Sequence, residues 1–170
     1  MHEMSFLCLM ADHGRWMNRK LYEVCAGIPD EERKRDLGAY FRSIHGTLNH
    51  LLLVDRLWLG RITGKEFRIR SLDQELYADF DELRHEREIA DGQIADLISG
   101  LKPSHLPEPV SYVSFLKKTE VTLPLGVVLT HFFHHQTHHR GQITTLISQL
   151  GYEFGDTDLI YMPGAKTDYF

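Results

Sequence analysis

The sequence predicts an all-α protein, a four-helix bundle with a short β-hairpin ahead of its last helix. Three observations carry that expectation. Four long segments repeat their apolar residues at three- and four-residue spacings, the helical period. Glycine and proline fall between those segments, where turns are needed. The single pair of β-prone runs lies together, flanked by prolines. With 170 residues, 42% of them hydrophobic, the chain suits one domain spanning 1–170 around one core.

The first helix is expected over Ser5 to Gly27, where Leu7, Met10, Met17, Leu21 and Val24 keep the helical period, and Gly27-Ile28-Pro29 ends it. Asp30, Glu31 and Glu32 then read as the acidic first turn of a short helix that Leu37-Gly38 interrupts. A longer helix follows from about Tyr40 to Ile62. Its apolar residues cover most of the circumference, which suits a helix with neighbours on more than one side, a second subunit among them. Thr63 to Leu72 reads as a connection. Asp73 to Leu101 carries Leu76, Phe80, Leu83, Ile94 and Ile98 among many charges, the pattern of an amphipathic surface helix. Val110 to Phe115 and Glu120 to Leu123 are the hairpin strands, and the last helix runs from Pro124 to Leu150, stopped by Gly151. The tail from Tyr152 to Phe170 reads as irregular.

Composition excludes several function classes. A net charge of −5, with acidic and basic residues mixed along the chain, gives no footprint for nucleic acid or an anionic membrane. The longest nearly apolar stretch, Leu48 to Leu59, is about half a bilayer span and contains Asp55 and Arg56. Met1 to Asp12 lacks the basic start and cleavage site of a secretory signal, so a cytoplasmic location is the default expectation. Two cysteines, Cys8 and Cys25, without Cys-x-x-Cys spacing, support neither a disulfide scaffold nor a thiolate metal cluster.

Histidine is the outlier: 11 residues, five of them between His131 and His139. Three pairs there stand four apart, namely His131 with His135, His134 with His138, and His135 with His139. Imidazoles at that spacing share a helix face one turn apart and can chelate one metal ion. Projected on a helix, the apolar face centres on Val128, Phe132, Ile143, Leu146 and Leu150. His139 falls on that face and His135 at its edge, while His134 and His138 point away, so the pair favoured for a core-facing site is His135 and His139. Gln136 stands where a His-Glu-x-x-His metalloprotease carries its glutamate, which disfavours that mechanism. A third ligand must come from another helix, and periodicity leaves His13, His45, His50 and His85 all open. Arg140 and Gln142 fit either support of a site or a solvated helix face, and Asp55 and Arg56 fit charges paired at a helix contact.

Three segments, Ile44-His-Gly-Thr-Leu-Asn-His-Leu-Leu-Leu-Val-Asp-Arg-Leu-Trp-Leu59, His135-Gln-Thr-His-His-Arg-Gly-Gln142 and Asp156-Thr-Asp-Leu-Ile-Tyr161, together resemble the DinB family of damage-inducible bacterial proteins, within the DinB/YfiT-like superfamily. The resemblance covers essentially the whole chain. It implies a four-helix bundle, often a homodimer, holding a divalent metal ion through one histidine of the second long helix and two of the last. Carried onto this sequence, those ligands are His50, His135 and His139. Superfamily relatives include thiol-dependent transferases and an isomerase that use low-molecular-weight thiols such as mycothiol or bacillithiol. The reading that follows is a metal-dependent enzyme of the thiol-dependent S-transferase type, with zinc or nickel as cofactor and a small electrophilic molecule as substrate. A metal-dependent hydrolase and a non-enzymatic metal-binding stress-response module are the alternatives. Because imidazole ligands must be neutral, metal affinity is expected to drop steeply between about pH 7 and pH 5.

Overall fold

The computed structural model describes residues 3–165 and residue 169. Four long helices form: α1 (Glu3–Ala26), α3 (Ile44–Thr63), α4 (Phe80–Gly100) and α5 (Leu125–Gln149), with a short α2 (Asp30–Lys34) between the first two. α1 packs on α4 and α5, and α3 packs on the same two helices, which places α1 and α3 on one diagonal of the bundle. The expected hairpin is present. Strands β1 (Pro109–Val113) and β2 (Glu120–Pro124) pair antiparallel, with Val110 opposite Leu123 and Tyr112 opposite Val121. Residues 152–165 are irregular apart from one 3-10 turn, Leu159–Tyr161. The rest of the expected tail, residues 166–168 and 170, lies outside the described residues.

Two helix starts fall later than the sequence suggests, each for a local reason. α3 begins at Ile44 instead of Tyr40 because Arg42 takes a left-handed φ of 68°, and Ser43 caps the helix by accepting the Gly46 N–H at 3.0 Å. α4 begins at Phe80 instead of Asp73. Asp79 caps it through the Glu82 N–H at 2.9 Å, and Asp81 and Glu82 supply the negative first turn that the helix dipole favours. The segment before it is irregular and tied to α3: Asn49 Oδ1 accepts the backbone N–H groups of Leu76 and Tyr77 at 2.8 and 3.0 Å. Those bonds use the donors that a longer helix would direct to its own carbonyls. At the other end Gly151, at φ 83°, turns the chain out of α5 as expected.

Side chains inside the bundle sort into layers. One apolar layer contains Leu21, Leu48, Leu83 and Leu146, and the other Trp58, Ile94, Leu129 and Phe133. Each such buried aliphatic or aromatic group contributes about 1.5–3 kcal/mol. Between them lies a polar layer drawn from all four long helices. Arg87 Nη1 donates to Asp55 Oδ2 at 2.6 Å, Arg87 Nη2 lies 2.9 Å from Asp91 Oδ1, Asn18 donates to Asp91 at 2.9 Å and Gln136 to Asp55 at 3.0 Å. Asp55 therefore does pair at a helix contact. Arg140 is buried beside this layer and donates to Thr137 at 3.3 Å. Among the described residues no helix is long and apolar enough to cross a membrane.

Candidate metal centre

His50 comes from α3, and His135 and His139 from consecutive turns of α5, one of the helices α3 packs against. The structure brings these three together: one nitrogen of each lies within 4.8 Å of the others. His50 and His139 are buried and His135 is half-buried. The other candidates go elsewhere. His45 Nε2 donates to the Tyr77 carbonyl at 2.9 Å, which ties it to the α3–α4 connection. His13 lies 3.5 Å from the Thr157 carbonyl, and His85, His131, His134 and His138 are exposed. The buried His139, the half-buried His135 and the exposed His134 and His138 agree with the projection of α5.

Hydrogen bonds orient the three rings. His50 Nδ1 donates to the Leu72 carbonyl at 2.7 Å, so its Nε2 carries the lone pair. His139 Nδ1 donates to Gln142 Oε1 at 2.7 Å, and the Gln142 amide nitrogen donates to His138 at 3.3 Å, which fixes the amide orientation. These are the outer partners that metal-ligating histidines ordinarily have. His135 and His139 share a hydrogen bond between their Nε2 atoms, 3.1 Å apart. Two imidazole nitrogens on one ion at about 2.05 Å stand roughly 2.9–3.4 Å apart, so a cation replacing the shared proton fits with little movement. His135 Nδ1 is buried without a partner, so no protein group opposes the change of tautomer. The residues present fit a divalent ion.

Electrostatics keep the rings neutral. Burial, then the neighbouring His139, pulls His135 down to about 3; burial outweighs the Gln142 hydrogen bond and takes His139 down to about 4. Burial also lowers His50 against the raising effect of its Leu72 bond. Proton competition for the ligand nitrogens therefore moves below the ordinary imidazole range expected from the sequence. Neither cysteine is an activated nucleophile: burial pushes the Cys25 thiol up to about 12, and burial with Asp12 nearby raises Cys8. Sequence reasoning missed Leu72, which acts through its backbone carbonyl and leaves no side-chain signal, and Phe41, whose ring lies 3.7 Å from that of His50.

The bundle and its histidine cluster define the protein as one whose helical core can hold a metal ion. Comparison with known proteins gives the family. The model of the DinB family matches residues 1–168, and the chain belongs to that family. Protein DinB of Bacillus subtilis (strain 168) is 24% identical over 180 residues, covering 96% of this chain and 98% of that protein. A crystal structure of a DinB-like protein from Bacillus cereus ATCC 10987 superposes with a TM-score of 0.58 at 18% identity, covering 83% of this chain and 90% of that one. At that identity the likeness supports the fold alone.

Proposed function

We propose that the chain is a divalent-metal-dependent enzyme of the thiol-dependent S-transferase type, acting on a small electrophilic molecule, with His50, His135 and His139 holding the ion. The observation that carries the reading is the convergence of three neutral imidazoles with no Asp, Glu or Cys joining the cluster among the described residues. Three protein ligands and no fourth is the ligand set of an open, catalytic site. The chemistry such an ion supplies is Lewis acidity, lowering the pKa of a thiol so that its thiolate is present at neutral pH. Leu72 and Gln142 orient two of the rings by accepting their Nδ1 protons. A ligand set without negative charge favours an anionic partner, a thiolate above a neutral carbonyl. Zinc or nickel suits three imidazoles, and a low-molecular-weight thiol is the co-substrate.

The test is turnover. Purified protein loaded with Zn2+ or Ni2+ is offered bacillithiol, mycothiol or glutathione with a panel of small electrophiles, beside ester substrates. Metal-dependent thiol adducts support the transferase; ester cleavage without adducts supports the hydrolase instead; metal binding with neither supports the binding module. A homodimer also belongs to this reading, on the family resemblance. The apolar circumference of α3 that first suggested it is covered by α2, α4, α5 and β1 of the same chain, so light scattering at micromolar concentration must decide it.

A further inference from the structure

Phe41 belongs to none of the apolar clusters among the described residues. Its ring neighbours are instead Tyr40 at 4.8 Å, His50 at 3.7 Å and His139 at 5.6 Å, with the His50 ring stacked at an interplanar angle of 16°. The turn that presents it is held from several sides. Leu37 N–H donates to the Arg42 carbonyl at 2.7 Å, Arg42 N–H to Ala39 at 2.8 Å and Ser43 N–H to Phe41 at 2.8 Å. The Arg42 side chain donates to Asp36 at 2.9 Å, and its backbone is kept at φ 68°, which L residues adopt at a cost. Beneath the turn Gly46 has no Cβ; one placed there would run into the Phe41 carbonyl.

We propose that Phe41 is a positioning residue of the metal centre. The inference rests on His50 being a ligand. One hydrogen bond, from Nδ1 to Leu72, leaves the imidazole free to swing about the axis of that bond; a flat ring stacked on its face removes this freedom. Nε2 then stays aimed at the nitrogens of His135 and His139, and one side of the ring is closed to water. A ligand orientation set beforehand acts mainly on release of the ion, because a released nitrogen rebinds before it can turn away.

The experiment compares wild type with Phe41→Ala, Phe41→Tyr, Phe41→Leu and Tyr40→Ala. Zn2+ affinity and dissociation are measured by chelator competition, and the absorption spectrum of the Co2+-loaded protein reports coordination. Phe41→Ala should weaken Zn2+ binding about 10- to 100-fold, the range seen when outer partners of ligands are removed, chiefly through faster dissociation, with an altered Co2+ spectrum. Phe41→Tyr, which keeps the flat face, should restore both. Tyr40→Ala, which removes an exposed ring from the same turn, should leave both unchanged. Should Phe41→Ala fail to fold, Phe41→Leu, which keeps bulk without a stacking face, must show the same faster release. Wild-type affinity and spectrum in Phe41→Ala or Phe41→Leu would overturn the proposal, as would a Phe41→Tyr variant no better than alanine. Absence of Zn2+ binding by wild type would overturn the metal reading itself.

Discussion

Two polar regions are built into the interior of this bundle, and they are solved in opposite ways. In the layer formed by Asn18, Asp55, Arg87, Asp91 and Gln136, each charge faces an opposite charge supplied by the chain: Arg87 lies against both Asp55 and Asp91. At the histidine cluster the chain brings three nitrogens together, and among the described residues no anion and no cation joins them. In the first region the charges are matched by the chain itself. The second has converging lone pairs and one shared proton, an arrangement that a positive ion completes. The contrast separates two uses of buried polarity: a network in which Asp55 and Asp91 are balanced by Arg87 and the adjacent Arg140 specifies how helices register, whereas an unbalanced donor set is an invitation to a ligand.

The most damaging way to break the comparison is to unbalance the closed layer. Asp55→Ala leaves Arg87 buried with one of its two carboxylates gone and removes the acceptor of Gln136. Denaturant unfolding should show a loss of about 3–5 kcal/mol, as for other buried pairs deprived of one partner. A loss below about 1 kcal/mol would mean that water reaches the layer and that it is not closed.

Removing a member of the open region should act differently. His50→Ala, His135→Ala and His139→Ala should each abolish stoichiometric metal, while His134→Ala and His138→Ala, both at exposed positions, retain it. For wild type with free metal at 100 times Kd, binding contributes about 2.7 kcal/mol. That contribution, read as the difference in Tm with and without metal, should vanish in the first three variants. Metal analysis with paired melting curves checks it, and a His139→Ala variant that kept its metal would remove the assignment.

How much of this was legible in the sequence depended on whether the information was local. The face of α5 that meets the core is a single stripe, so the helical period separated the buried His139 from the exposed His134 and His138. α3 touches α2, α4, α5 and β1, and a helix covered on so many sides has no moment to point with. His50 therefore came from the family resemblance and not from periodicity. Residues 73–79 carry an amphipathic pattern that reads as helix, but their hydrogen bonds go to Asn49, distant in sequence and near only after folding. Arg140 left two readings open for the same reason: Asp55 and Asp91, the carboxylates whose charges act on it, lie on α3 and α4.

Smaller changes sharpen the comparison by touching only what surrounds the open region. Gln142→Ala removes the acceptor of His139 Nδ1 and frees His138. Metal affinity should fall about 10- to 100-fold, with little change in the unfolding free energy of the metal-free protein, because Gln142 is only half-buried at the surface of α5. Chelator competition and denaturant titration of the same variant check both halves.

The smallest expected effect is a change that fails to occur. Ordinary histidines would take up protons from pH 7 to pH 5 and release metal as they do so. Here the metal-free His135 and His139 rings stay neutral through that range, because burial holds them at about 3 and about 4, and burial lowers His50 in the same direction. Metal affinity of the folded protein should therefore change little between pH 7 and pH 5.5 and fall only as the pH approaches those lowered values. Folding stability of the metal-free protein follows the opposite timetable. The unfolded chain binds protons at these positions from about pH 6.5 downward while the folded chain does not, so stability is lost as pH falls across that interval and levels off once the folded rings also protonate. Affinity measured by chelator competition and Tm measured without metal, at the same pH values, should thus separate, with Tm falling first. If affinity falls from pH 7 while the metal-free Tm stays level, the rings titrate as exposed imidazoles do, and the site is open to solvent in a way its burial does not allow.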